Sequence, residues 1–195
     1  MKGKNSIVIL DFGGQYAHLI ASRVRRFGVF SEIHEAETPA NQLRHAAGII
    51  LSGGPQSVYD PESPQADPAI FDLGIPIVGH CYGHQWMTKA LGGTVSEGKV
   101  KEYGQTKIAK VDGGGMLLSD DPNAECRMQN AEFTVWMSHG DSVSEVPDGF
   151  TITASSEDCP VAAMEDAERK FFGLQFHPEV THSEYGLEIM QRFVE

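Results

Sequence analysis

The chain has 195 residues and a formal net charge of −12, and its 41% hydrophobic content is too high for a disordered chain. So acidic a surface repels phosphate backbones and anionic headgroups, and no apolar stretch approaches the roughly 18 residues that span a bilayer, so neither a nucleic-acid nor a membrane partner is expected. Three irregularly spaced cysteines and an N-terminus without a secretory signal favour a cytoplasmic location, and the length favours a single domain over 1–195.

The first half of the chain alternates short apolar runs with helical patterns. In chain order it predicts a strand at 7–10, a helix at 16–27, a strand at 29–34, a short helix at 40–45, strands at 48–51 and 75–79, and a helix at 82–91. Continuous apolar strands are typical of a sheet buried on both faces. We therefore predict an α/β fold, an open and mostly parallel sheet flanked by helices.

In the second half of the chain, apolar residues alternate with polar ones more often than they form continuous apolar runs. It predicts a long extended stretch at 94–111, a turn at 112–115, and strands at 133–137, 151–154 and 161–164. A last strand at 170–176 and an amphipathic helix at 184–194 follow. This half therefore predicts a smaller antiparallel section attached to the parallel sheet.

The stretch around Cys81 is the most informative part of the sequence. An apolar strand leads into Gly79-His-Cys81-Tyr-Gly83, and a helix follows. This is the pattern of a nucleophile elbow, in which glycines relieve a strained turn and the next backbone N–H, here that of Tyr82, points at a developing oxyanion. Because a helix N-terminus also stabilises a thiolate, Cys81 is the predicted nucleophile.

A nucleophilic cysteine needs a base, and the base needs an orienting group. The predicted last strand ends in His177-Pro-Glu179. In an extended chain, residues two apart point the same way, so Glu179 can reach one imidazole nitrogen while the other faces the thiol. His177 is therefore the predicted base and Glu179 its orienting carboxylate.

Three further segments predict the rest of an active site. The glycine turn at 51–55, with Gly54, leaves N–H groups for a second oxyanion donor; the rival interpretation, a pyrophosphatase phosphate loop at 52–57, lacks the acidic residue that such a loop carries. Ser138, His139 and Asp141 follow a strand and could hold the ammonium and carboxylate of an amino acid. Gln85 lies one helical turn after Cys81, within reach of the same pocket.

Together these segments resemble the class I, or triad type, glutamine amidotransferases over nearly the whole chain. The motifs that carry the resemblance are Gly-His-Cys-Tyr-Gly at 79–83, Leu-Ser-Gly-Gly-Pro at 51–55 and Gly-Leu-Gln-Phe-His-Pro-Glu at 173–179. The opening Asp-Phe-Gly-Gly-Gln-Tyr at 11–16, Ser-His-Gly-Asp at 138–141 and Thr-His at 181–182 favour the GMP synthetase branch of this family. The resemblance implies a flavodoxin-like sheet.

The resemblance also implies a reaction, the hydrolysis of L-glutamine to glutamate and ammonia through a γ-glutamyl thioester on Cys81. It implies oxyanion donors near Gly54 and Tyr82, substrate binding by Gln85 and the 138–141 segment, and no cofactor or metal in this chain. Ammonia would pass to an ATP pyrophosphatase domain or subunit, which binds ATP and Mg and converts xanthosine monophosphate to GMP. Because no such domain follows Glu195, we expect a separate subunit or the front piece of a longer protein.

Alternatives remain open at this point. The chain could serve another amidotransferase branch, hydrolyse γ-glutamyl peptides, or be a non-catalytic regulatory or binding module. His80 and His84 stand where the family usually has apolar residues. They could tune the thiol, form a metal site with Cys81, or be hydrogen-bonded residues near the core. A metal site is disfavoured because the elbow directs His80 away from its neighbours and no second Cys, Asp or Glu lies at ligand spacing nearby. We expect at least one of the two to be a hydrogen-bonded residue near the core.

Overall fold

One mixed sheet of nine strands organises the computed structural model, which describes residues 6–119, 128 and 130–195. The strands are β1 (Ser6–Asp11), β2 (Phe30–Glu35), β3 (Ala46–Leu51), β4 (Ile77–His80), β5 (Thr94–Lys110), β6 (Glu132–Glu145), β7 (Thr151–Ser155), β8 (Ala163–Asp166) and β9 (Phe171–Leu174). The helices are α1 (Ala17–Arg26), α2 (Tyr82–Ala90), α3 (Gly115–Leu118) and α4 (Gly186–Val194), with 3-10 turns at Ala40–Gln42, Pro68–Asp72 and Asp112–Gly114.

The order of the strands divides the sheet into two halves. Across the sheet they run β2-β1-β3-β4-β9-β8-β7-β5-β6. The strands from β2 to β9 pair in parallel, and the pairs from β9 to β6 are antiparallel. This confirms the predicted α/β fold with a parallel sheet and an antiparallel section. It also brings the end of β4 beside the end of β9, so the regions of Cys81 and His177 are neighbours.

Both faces of the parallel half are buried, which explains its continuous apolar strands. Ile7 and Ile9 of β1 pack in one cluster with α1 and α4, whereas Val8 and Leu10 pack in a second cluster with α2. Alternate residues of one strand thus serve two cores. No helix among the described residues combines the length and apolar character needed to span a bilayer.

Several predicted boundaries were wrong. The predicted helix at 40–45 is a single 3-10 turn, because β3 already begins at Ala46. Strand β9 stops at Leu174 rather than at 176, because the chain leaves β8 and the backbone N–H of His177 donates to Trp136 of β6. Strand β6 continues far beyond 137, since it stays paired with β5 up to Glu145. The predicted helix at 184–194 begins later, at Gly186.

Candidate active site

Cys81 occupies a strained turn between β4 and α2. Its backbone has φ 51° and ψ −107°, a conformation that residues with a side chain rarely adopt. A Cβ at Gly79 would lie 2.6 Å from the backbone of Gly83, and one at Gly83 would lie 2.4 Å from the carbonyl oxygen of Leu51. Both glycines are therefore required for the turn, as the elbow pattern predicts. The thiol lies at the start of α2, where the dipole of the helix favours a thiolate.

His177 and Glu179 lie together, although not for the reason that the sequence suggested. Nδ1 of His177 is 2.8 Å from Oε1 of Glu179, and both side chains are buried. The two residues follow β9 in a turn rather than in an extended strand. Other elements fix this turn: Ser183 donates to the carbonyl of His177 (2.7 Å), and Arg23 of α1 donates to the carbonyl of Glu179 (3.1 Å).

The two groups stabilise each other's charged forms. Burial alone would lower the pKa of His177, but the charge of Glu179 and hydrogen bonds with Cys81 and Glu179 hold it well above the usual value. Burial alone would raise the pKa of Glu179, but His177, with a further contribution from His80, lowers it to about 2. Because the carboxylate accepts a hydrogen bond from Nδ1–H of His177, Nε2 is left to face the thiol. The structure thus brings the three predicted residues into one chain of contacts.

The predicted oxyanion donors lie beside this group. Gly53 and Gly54 pack so closely that a Cβ on Gly53 would lie 2.9 Å from Cε1 of His177 and 3.7 Å from Cβ of Cys81. Among the described residues, neither the N–H of Gly54 nor that of Tyr82 donates a hydrogen bond, while the hydroxyl of Tyr82 is engaged by Pro64. Both amides are therefore available to a developing negative charge.

A cleft runs past Cys81 and is lined by most of the predicted binding residues. These are Gly54, Gln85, Ser138, His139 and Asp141. The carbonyl of Ser138 lies 3.4 Å from Sγ of Cys81, and Nε2 of Gln85 donates to the carbonyl of Asp141 at 2.6 Å. The predicted segment 138–141 thus reaches the thiol. The sequence predicted that this segment follows a strand, whereas in the structure it lies within β6.

Sequence reasoning missed four residues of the site. Gln175 is fully buried, and its amide contacts Sγ of Cys81 at 3.8 Å and the amide of Gln85 at 3.1 Å. Ser57 donates to the carboxylate of Asp141, and Tyr16 places its ring 5.1 Å from that of His177. Tyr103, 71% exposed, lies at the rim of the cleft. Only Gln175 carried a signal, because a polar residue in an apolar strand needs a partner.

His139 lies beside a buried acid. Its Nε2 lies 3.1 Å from Oε2 of Glu102 on β5, and its Nδ1 lies 3.0 Å from the carbonyl of Asp141. Burial lowers the pKa of His139 despite the neighbouring carboxylate. Cys159 completes this cluster, and burial raises the pKa of its thiol to about 12. Both ring nitrogens of His139 therefore face acceptors of the protein itself.

The two unexpected histidines have different surroundings. Nδ1 of His80 lies 3.2 Å from Oε2 of Glu179. His84 is fully buried on α2 against Gly173, and burial lowers its pKa to about 3, although the backbone of Val161 acts in the opposite direction. Within the described residues, the structure groups neither of them with Cys81 as a set of metal-ligand atoms.

Comparison with known proteins agrees with this geometry. The family described as glutamine amidotransferase class-I matches residues 8–195. Proteins named "GMP synthase [glutamine-hydrolyzing]" from Parafrankia sp. and Bacillus subtilis are 47% and 50% identical over 98% and 96% of this chain. The chain spans only 35% of the length of these relatives.

Two solved structures are similar in fold. A protein described as one subunit of a GMP synthase, from Thermoplasma acidophilum, is 28% identical with a TM-score of 0.81, over 98% of this chain and 92% of that one. A glutamine amidotransferase from Thermotoga maritima is 22% identical with a TM-score of 0.68, over 91% and 77% of the two chains. The second supports the fold alone.

Proposed function

Because this chain belongs to the class-I glutamine amidotransferases, we propose that it is the glutaminase component of a GMP synthase. It hydrolyses L-glutamine to glutamate and ammonia and delivers the ammonia to an ATP pyrophosphatase partner that converts xanthosine monophosphate to GMP. The observation that carries this proposal is the buried pair of His177 and Glu179 against a cysteine on a strained elbow.

The reaction proceeds in two halves through a thioester. Nε2 of His177 takes the proton of Cys81, and Sγ attacks the amide carbon of glutamine, so that the negative charge collects on its oxygen beside the amides of Gly54 and Tyr82. When the C–N bond breaks, His177 returns the proton and ammonia leaves. Water, deprotonated by His177, then attacks the thioester carbon, and Sγ leaves as the thiolate that recovers the proton.

The walls of the cleft bind the amino-acid end of the substrate. Gln85, Ser138, His139 and Asp141 line the cleft beside the thiol. The carbonyl of Ser138 and the carboxylate of Asp141 can accept from the ammonium of glutamine. Gln85, whose amide donates to Asp141 and Gln175, holds this wall of the cleft in place. His139 acts mainly through Asp141, since its own nitrogens face protein acceptors.

The partner and the location are part of the same proposal. The relatives that carry GMP synthase names are almost three times as long as this chain, which supports a pyrophosphatase domain or subunit beside it. ATP and Mg belong to that partner, and the triad chemistry needs no cofactor of its own. The free thiols of Cys81 and Cys159 support a reducing cytoplasm.

An assay of glutamate formation tests the proposal. The chain is given glutamine, or a γ-glutamyl peptide, with and without a pyrophosphatase partner, ATP, Mg and xanthosine monophosphate. We expect glutamine hydrolysis that rises when the partner and its substrates are present. Cleavage of the peptide in preference to glutamine would identify a γ-glutamyl hydrolase instead. A rate of glutamine hydrolysis that does not change when the partner and its substrates are added would contradict the assignment to GMP synthesis.

A further inference from the structure

His80 contacts the side of the triad that lies away from the substrate. It is the last residue of β4 and immediately precedes Cys81. Its Nδ1 lies 3.2 Å from Oε2 of Glu179, and the side chains of His80 and Glu179 are 2% and 0% exposed. Glu179 is therefore placed between two imidazoles, His177 on Oε1 and His80 on Oε2.

The second carboxylate oxygen needs such a neighbour. Among the described residues, neither Oε2 of Glu179 nor Nδ1 of His80 has a well-aligned hydrogen bond, and the two atoms are polar neighbours at 3.2 Å. A buried carboxylate oxygen without a donor loses the solvation that water would have supplied. A carboxylate held on one oxygen only is also free to rotate away from its partner.

The other surroundings of His80 are apolar. It borders a small cavity whose remaining lining residues are Ile50, Val78, Leu117, Leu174, Ile189, Met190 and Phe193. None of these lining residues carries a polar side chain that could compete with Glu179 for the imidazole of His80.

We propose that His80 is a positioning residue of the triad, which holds Oε2 of Glu179 so that Oε1 stays aligned with His177. The proposal deepens the glutaminase function proposed above and rests on it. His80 touches neither substrate nor thiol through this contact. It acts on Cys81 only through His177, whose protonated form the carboxylate of Glu179 stabilises.

Three substitutions separate positioning from packing. His80→Leu removes the donor, His80→Asn keeps an N–H near the position of Nδ1, and His80→Gln moves the N–H farther along the side chain. We measure kcat and KM for glutamine, the rate at which iodoacetamide alkylates Cys81 near neutral pH, and Tm. Alkylation reports the thiolate without substrate or partner.

We expect His80→Leu to lower kcat and the alkylation rate by about tenfold, the equivalent of about 1.4 kcal/mol, with KM unchanged. His80→Asn should stay within about threefold of the parent. If His80→Leu fails to fold, Asn should still exceed Gln in both rates. The proposal would be overturned by equal rates in all variants. It would also be overturned if the losses of kcat and alkylation rate correlated with the loss of Tm and not with the presence of an N–H donor. If the parent hydrolyses no glutamine, the proposed function fails, and alkylation still decides the case of His80.

Discussion

Oε1 of Glu179 lies 2.8 Å from Nδ1 of His177, and both side chains are buried. Since the carboxylate charge raises the pKa of His177, Glu179→Gln should lower that pKa and reduce kcat by about a hundredfold. The loss should remain smaller than that of Cys81→Ala, because the turn still positions the imidazole. NMR titration of the His177 ring measures the pKa. Glu168→Gln, an exposed carboxylate, is the control; an unchanged His177 pKa would contradict the electrostatic argument.

Among the described residues, Cys81 and Cys159 are both buried and allow a matched test of the nucleophile. Cys81→Ala should abolish glutamine hydrolysis and leave Tm nearly unchanged, because no thioester can form. Cys159→Ala should retain activity within about twofold, since burial holds the pKa of that thiol near 12 and suppresses its thiolate. Mass spectrometry after brief iodoacetamide treatment should find Cys81 modified and Cys159 intact. Activity that survives in Cys81→Ala and vanishes in Cys159→Ala would reverse the assignment.

Glu102 should affect substrate binding more than chemistry. It contacts His139, and His139 in turn contacts the carbonyl of Asp141, so Glu102 supports the wall of the cleft. Glu102→Ala should therefore raise KM for glutamine about tenfold, with a smaller change in kcat. Glu132→Ala on β6, whose side chain is exposed, should leave both constants unchanged. The prediction fails if kcat falls while KM stays constant.

His84 should make the fold sensitive to acid. Its pKa is about 3 in the folded protein against 6.5 in the unfolded chain, so below pH 6.5 the unfolded chain binds the extra proton. The contribution of neutral His84 to the free energy of unfolding is therefore fully present above pH 6.5. It is lost as the pH falls toward 3, by up to about 1.4 kcal/mol per pH unit. His84→Met should flatten the decline of unfolding free energy in that window. Urea titrations between pH 4 and 7 measure the unfolding free energy of the parent and of His84→Met. Parallel declines in the two proteins would refute the argument.

The sequence contained enough to predict the parallel sheet and the elbow, because both depend on local patterns. Apolar runs specify strands buried on two faces, and the spacing of Gly79, Cys81 and Gly83 specifies one kind of turn. His177 and Glu179 were found by their proximity in sequence, but the extended geometry assigned to them was wrong. Their contact survives because Ser183 and Arg23 hold the turn.

The supporting residues could not be predicted because they meet through long-range pairing. Glu102 faces His139 only in the register that follows an irregularity between Glu97 and Glu102 on β5. One residue of slip would turn its carboxylate to the opposite face of the sheet. Gln175 and Cys81 likewise come together only when β9 lies beside β4. No local spacing encodes either relationship.

The backbone of Cys81 has a consequence for engineering the enzyme. With φ at 51° at Cys81 and no room for a Cβ at Gly79 or Gly83, the turn accepts no side chain at either glycine. Mutant libraries that aim at new amide substrates should leave Gly79, Cys81 and Gly83 untouched. Diversity belongs at the exposed rim, where Gln56 and Tyr103 border the opening and can change without disturbing the nucleophile.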